Sequence, residues 1–148
     1  MNILIVEDDE FKLNALQQLV TDGRDDITIE ICKSVKAAVK AVSERDHDLL
    51  VLDMSLPSHD LELAEGLGIP RLSGGIEVLF EVQYQAKKMP TIIVTQYPEI
   101  ELENRMVPIS EVREYLIDAF EIEVDTCLFF DLEDMTWSEE LRRILVAR

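Results

Sequence analysis

Short apolar runs alternate with amphipathic stretches along most of the chain. Residues 2–6 carry Ile3-Leu4-Ile5-Val6, too short for a helix and apolar on both sides, which predicts a strand buried on both faces. Residues 10–22 place Leu13, Leu16, Leu19 and Val20 on one side, predicting a helix that Gly23 stops and that Asp9 caps. Residues 27–31 alternate like a second strand, and Ser34 is placed to cap a helix carrying Val35, Ala38, Val39 and Val42 at helical spacing. Residues 48–52 form a third apolar strand that ends at Asp53.

The rhythm then breaks. Pro57, Gly66, Gly68, Pro70 and Gly74 make residues 54–74 a long connection, with one short helical turn expected near 60–65. A helix resumes at Gly75 and runs through Val78, Leu79 and Val82 to about Lys88. Pro90 opens a fourth strand, Thr91-Ile92-Ile93-Val94, ending at Thr95. Residues 96–109, bracketed by Pro98 and Pro108, are expected to be irregular. Ser110 is expected to cap a helix over 111–120 whose apolar face is Val112, Tyr115, Leu116 and Ala119. A fifth strand spans 126–130. Ser138 is expected to cap a last helix with Leu141, Ile144 and Leu145 turned inward.

Five apolar strands alternating with five helices predict an α/β fold: a doubly wound parallel sheet with helices on both faces. At 148 residues, 47% of them apolar, the chain suits a single domain spanning 1–148 with enlarged loops at about 54–74 and 96–109. No apolar run approaches the roughly 20 residues that span a bilayer, and the acidic start lacks a secretory n-region, so a cytoplasmic protein is expected. The net charge of −17 argues against direct binding of nucleic acid or of anionic membranes. Residues 98–140 concentrate the excess, with 14 acids against only Arg105 and Arg113. A solvated surface is the plain reading of that stretch, and a docking face for a basic partner the sharper one. Cys32 and Cys127 lie in apolar segments and are expected as buried free thiols, and His47 and His59 lack metal-ligand spacing.

In sheets of this class chemistry gathers at the carboxyl ends of the strands. Glu7, Asp8 and Asp9 follow the first strand, Asp53 the third and Thr95 the fourth. With those strands adjacent, the acids share one cleft, where mutual repulsion raises their proton affinity or recruits a cation. Mg2+ suits such oxygen ligands, and a carboxylate there can carry a phosphoryl group. Taken singly, each acid is an ordinary loop start or helix cap; the ordered combination favours a site.

The segments 3–10 (Ile-Leu-Ile-Val-Glu-Asp-Asp-Glu), 48–57 (Asp-Leu-Leu-Val-Leu-Asp-Met-Ser-Leu-Pro), 74–79 (Gly-Gly-Ile-Glu-Val-Leu) and 90–95 (Pro-Thr-Ile-Ile-Val-Thr) resemble the receiver domain of bacterial two-component response regulators. The resemblance implies a flavodoxin-like sheet of order 2-1-3-4-5. It also implies Asp53 as phosphoacceptor, Mg2+ held by Glu7, Asp8, Asp53 and the Ser55 backbone carbonyl, with Asp8 favoured over Glu7 as direct ligand, and Thr95 as switch hydroxyl. A sensor histidine kinase or phosphotransfer protein is the implied donor. An unknown downstream protein is the implied reader, docking on the face made by the fourth helix, fifth strand and fifth helix, with a homodimer as a further expectation.

The departures are specific. The family's lysine after the fifth strand is replaced, Asp131 being the best-aligned position, and an anion there costs about 1 kcal/mol against a phosphoryl group even when screened. The switch aromatic falls nominally on Leu128, with Phe129 beside it. Gln96 and Tyr97 are larger than the residues usual after the switch hydroxyl. No output domain follows in the sequence, so output through another protein is expected. Three readings compete: a stand-alone receiver phosphorylated on Asp53, a degenerate receiver that binds its partner without phosphorylation, and a Mg2+-dependent phosphohydrolase. The last ranks lowest, since Ser55 is not the acid such enzymes place two residues after the nucleophile.

Overall fold

A computed structural model of the chain describes residues 1–57, 70–71 and 74–147. In chain order it contains β1 (Asn2–Val6), α1 (Glu10–Thr21), β2 (Thr28–Cys32), α2 (Val35–Glu44) and β3 (Leu49–Leu52). Two short strands follow, β4 (Leu56–Pro57) and β5 (Pro70–Arg71), then α3 (Gly75–Tyr84) and β6 (Thr91–Thr95). The remainder is β7 (Glu99–Leu102), β8 (Arg105–Pro108), α4 (Ile109–Phe120), β9 (Thr126–Phe129) and α5 (Thr136–Val146).

The main sheet is parallel throughout, ordered β2-β1-β3-β6-β9. Counting only its own strands in chain order, this is 2-1-3-4-5, the flavodoxin-like order that the resemblance to receiver domains implies. Strand alternation sends Leu4, Val6, Leu50, Leu52 and Ile93 to one face, where α2, α3 and α4 cover them. Ile3, Ile5, Leu49, Val51, Ile92 and Val94 go to the other face, against α1 and α5. Burial of both faces is why these strands read as unbroken apolar runs rather than as alternating ones.

Asp9 caps α1 through its side chain, which accepts from Phe11 N at 3.0 Å, and Ser34 caps α2 by accepting from Ala37 N at 3.1 Å. The other two expected caps fail. α4 starts at Ile109, after Pro108, with no side-chain cap, so Ser110 lies inside the helix. Ser138 lies inside α5 and is buried; its hydroxyl donates back to the Met135 carbonyl at 2.7 Å. Asp134 instead accepts from Thr136 N at 3.0 Å.

Residues 96–109 are not irregular. β7 and β8 form an antiparallel hairpin, turning at Glu103 and Asn104, both at positive φ (50° and 63°). The acidic composition hid its alternation: Ile100, Leu102 and Val107 point into the core cluster that includes α4. Cys127 is half-buried rather than buried, and both cysteines are free thiols. The short turn expected near 60–65 lies outside the described residues.

Gly74 and Gly75 join this fold to its functional end. A Cβ on Gly75 would meet the Asp53 carbonyl oxygen at 2.8 Å and the Met54 Cα at 2.8 Å, both backbone atoms. Gly75→Ala is therefore expected to destabilise by about 1–3 kcal/mol, although alanine is the better helix former. Urea denaturation checks this; an unchanged or raised midpoint contradicts it.

Candidate functional site

The pairing of β1 with β3 aligns Val6 with Leu52, so the next residues, Glu7 and Asp53, emerge side by side. Both backbones stay in the ladder for one more bond: Glu7 N donates to Cys32 O (3.0 Å) and Asp53 N to Val6 O (2.9 Å). Neither side chain can swing out to water, and they are 1% and 2% exposed. Asp8, half-buried, completes a group in which one oxygen from each of Glu7, Asp8 and Asp53 lies within 4.8 Å of the others.

Asp53 Oδ1 accepts from Ser55 N at 3.1 Å, while its Oδ2 has no hydrogen-bond partner. Glu7 Oε2 accepts from Asp9 N at 3.2 Å. Glu7 Oε1 is touched at 2.6 Å by the Lys12 ammonium, without a well-directed hydrogen bond. The same ammonium lies 3.5 Å from Asp53 Oδ1 and donates to Gln96 Oε1 at 2.9 Å. Lys12 is fully buried.

Removal from water favours the uncharged form of an acid. Burial, and secondly the charge of Asp53, pushes Glu7 up to about 8 against the opposing pull of Lys12. Burial likewise raises Asp53 and Asp8 above the usual carboxylate range.

Other residues singled out in the sequence lie at varying removes. Ser55 is buried beside Asp53. Thr95 ends β6, next to β3, and its buried hydroxyl accepts from Tyr97 N at 3.2 Å. Asp131 stands apart from the acidic group: its Oδ1 accepts from Glu133 N at 3.0 Å and its carbonyl from Trp137 Nε1 at 3.1 Å. Phe129 is 42% exposed at the end of β9. Phe130 turns inward, its ring 4.7 Å from that of Trp137 and 6.0 Å from the Lys12 ammonium.

Sequence reading passes over Lys12. A faint signal exists, because Lys12 shares the i, i+4, i+8 row with Leu16 and Val20, both buried. Gln96 was visible only as an oversized side chain; the structure shows it holding the ammonium.

A divalent cation fits this donor set. Three carboxylates converge, two are almost fully buried, and Asp53 Oδ2 lacks a partner, which is the hard-oxygen environment Mg2+ takes.

With fold and cleft defined, comparison with known proteins gives the class: the chain belongs to the response regulator receiver domain family, whose pattern it matches over residues 3–124. It is similar to the Detocs response regulatory protein DtcB of Vibrio alginolyticus, 32% identical over 97% of this chain and 98% of that one. The fold is that of a CheY-like receiver domain from Methanospirillum hungatei JF-1 (TM-score 0.63, 18% identity, covering 99% of this chain and 94% of that one). It is also that of the receiver domain of a Pseudomonas aeruginosa PAO1 sensor histidine kinase (TM-score 0.58, 17% identity, 99% and 94% covered), solved with a magnesium ion coordinated in its active-site cleft. The protein is thus a two-component signalling domain, and among the described residues no helix is long and apolar enough to cross a membrane.

Glu7 gives the cleft a pH signature. An acid whose folded pKa exceeds its ordinary value, here about 8 against 4.5, adds stability that is fully present below 4.5 and lost as pH rises through about 8. Without divalent metal, thermal stability should decline between about pH 5 and pH 8, by on the order of a few kcal/mol, and Glu7→Gln should flatten the decline. Melting curves across that range check it; equal slopes in both proteins contradict it.

Proposed function

We propose that Asp53 accepts a phosphoryl group in a Mg2+-dependent reaction, from the phosphohistidine of a sensor histidine kinase or phosphotransfer protein, and that another protein reads the result. The observation that carries this reading is the unpartnered Oδ2 of the nearly fully buried Asp53, set among Glu7 and Asp8. An Asp53 oxygen attacks phosphorus, a P–O bond forms and the donor's P–N bond breaks. The electron pair stays on the imidazole nitrogen, which takes a proton. Mg2+, when bound by Glu7, Asp8, Asp53 and the Ser55 carbonyl, supplies neutralising charge to the phosphoryl oxygens. Ser55 N orients the acceptor carboxylate through its bond to Oδ1, and Thr95 contributes the switch hydroxyl from the neighbouring strand.

Output runs in this proposal through the face of α4, β9 and α5, with the β7–β8 hairpin beside it. Exposed Phe129, Leu132 and Met135 give that face apolar contacts, and the acid-rich stretch 98–140 gives it a charge that suits a basic partner. The placement of Asp131, an anion where a cation is usual, favours a second reading in which this face binds its partner without phosphorylation.

Intact-mass analysis after incubation with acetyl phosphate separates the two. A single phosphoryl addition that needs Mg2+ and vanishes in Asp53→Ala is expected. Failure of addition with both acetyl phosphate and a phosphohistidine donor, together with partner capture unaltered by Asp53→Ala, would establish the binding-only reading.

A further inference from the structure

The cleft holds a cation that the phosphoryl chemistry does not yet use. We infer that Lys12 is the phosphoryl-contacting cation of this receiver: its ammonium bridges Glu7 and Asp53 while the metal is absent and passes to the phosphoryl oxygens on Asp53 when the acids are taken by Mg2+. This rests on Asp53 being the phosphoacceptor, as proposed above.

Geometry supports the assignment. A phosphoryl group on Asp53 forms on an oxygen of the carboxylate whose Oδ1 is already 3.5 Å from the ammonium. The ion pairs that the structure shows for Glu7 and Asp53 are both with Lys12. The opposite wall offers no substitute, because residues 128–134 contain neither Lys nor Arg and the Asp131 carboxylate is engaged with the Glu133 amide. Just past β9, the Phe130 ring lies with its centroid 6.0 Å from the ammonium and packs on Trp137.

Lys12 is also built to move. It donates one hydrogen bond, to Gln96 Oε1, and forms ion pairs with Glu7 Oε1 and Asp53 Oδ1, so the charge is balanced while buried. Only Gln96, a neutral group outside the acid cluster, remains an undisputed partner once a divalent ion takes the carboxylates. A flexible four-carbon stem anchored on α1 and tethered at Gln96 lets the ammonium follow the negative charge over a short distance. A phosphoryl group brings that charge to Asp53.

The two cations therefore compete before transfer and cooperate after it. Removing the ammonium takes a positive charge away from the metal ligands, so Mg2+ binds more tightly, yet the transferred phosphoryl oxygens lose a counter-charge. A merely structural lysine gives the opposite correlation, since loosening the cleft weakens metal binding and phosphorylation together.

The experiment compares wild type, Lys12→Met and Lys12→Arg. Calorimetric titration with Mg2+ alone should show affinity rising roughly tenfold in Lys12→Met. The initial rate of phosphorylation by acetyl phosphate at saturating Mg2+ should fall roughly tenfold or more, with Lys12→Arg retaining part of it. An unchanged rate in folded Lys12→Met overturns the inference, as does metal affinity that falls with the rate. Should Lys12→Met fail to fold, the wild-type protein decides. The side-chain 15N resonance of Lys12 should shift when beryllofluoride, a phosphoryl mimic, is added with Mg2+, and an unmoved resonance beside shifted Asp53 and Met54 amides overturns the inference. If wild type neither takes up phosphate nor responds to beryllofluoride, the phosphoacceptor reading fails and takes this one with it; a phosphorylated wild type indifferent to Lys12 removes this one alone.

Discussion

The register of β1 on β3 brings Glu7 and Asp53 together at adjacent strand ends, where each backbone is still held in the ladder, and the rest of the cleft answers that placement. Two carboxylates that cannot reach water must be neutralised by protons, by metal or by a buried cation. Lys12 supplies the cation in the metal-free protein, and Gln96 Oε1 accepts a hydrogen bond from it. Breaking such a buried group by removing one member leaves an uncompensated charge, at a cost of about 3–5 kcal/mol. The arrangement is tolerated because a site that must admit a divalent ion and a phosphoryl group cannot be filled with apolar side chains.

Features that look unrelated along the sequence are joined here. Gln96, oversized for its position, lies within hydrogen-bonding distance of a lysine 84 residues away. Asp131 is engaged in a turn, where its charge meets the Glu133 amide rather than the acidic group. Phe130 packs between Trp137 and the region of the ammonium. These contacts make the departures from the family pattern mutually consistent, with one wall giving up a cation while α1 presents one. The hairpin of β7 and β8 likewise belongs to the core, since Ile100, Leu102 and Val107 are buried while its acidic side chains face outward.

The five sheet strands and the five helices were legible in the sequence because burial on both faces demands uninterrupted apolar runs, and parallel strands demand helical crossovers between them; the sheet order was implied by the resemblance to receiver domains. Asp9 and Ser34 were legible as caps because an oxygen one residue before an amphipathic stretch has a single obvious use. Ser110 and Ser138 misled for the same reason. Each sits near a helix start, but Pro108 and Met135 open those helices earlier, and Ser138, inside its helix, bonds back to the Met135 carbonyl instead.

Glu7, Asp8, Asp53 and Thr95 were determined by sequence alone as residues at the carboxyl ends of particular strands, and strand order then requires that they converge. What only the tertiary structure decided is where the balancing charge comes from. A lysine in the first turn of an amphipathic helix reads as solvated, because an ammonium is buried only where oxygens wait to receive it. Those oxygens come from three other segments, the ends of β1 and β3 and the residue after β6. No local pattern around Lys12 records their distance; the packing of α1 against the sheet alone places its ammonium 2.6 Å from Glu7 and 3.5 Å from Asp53.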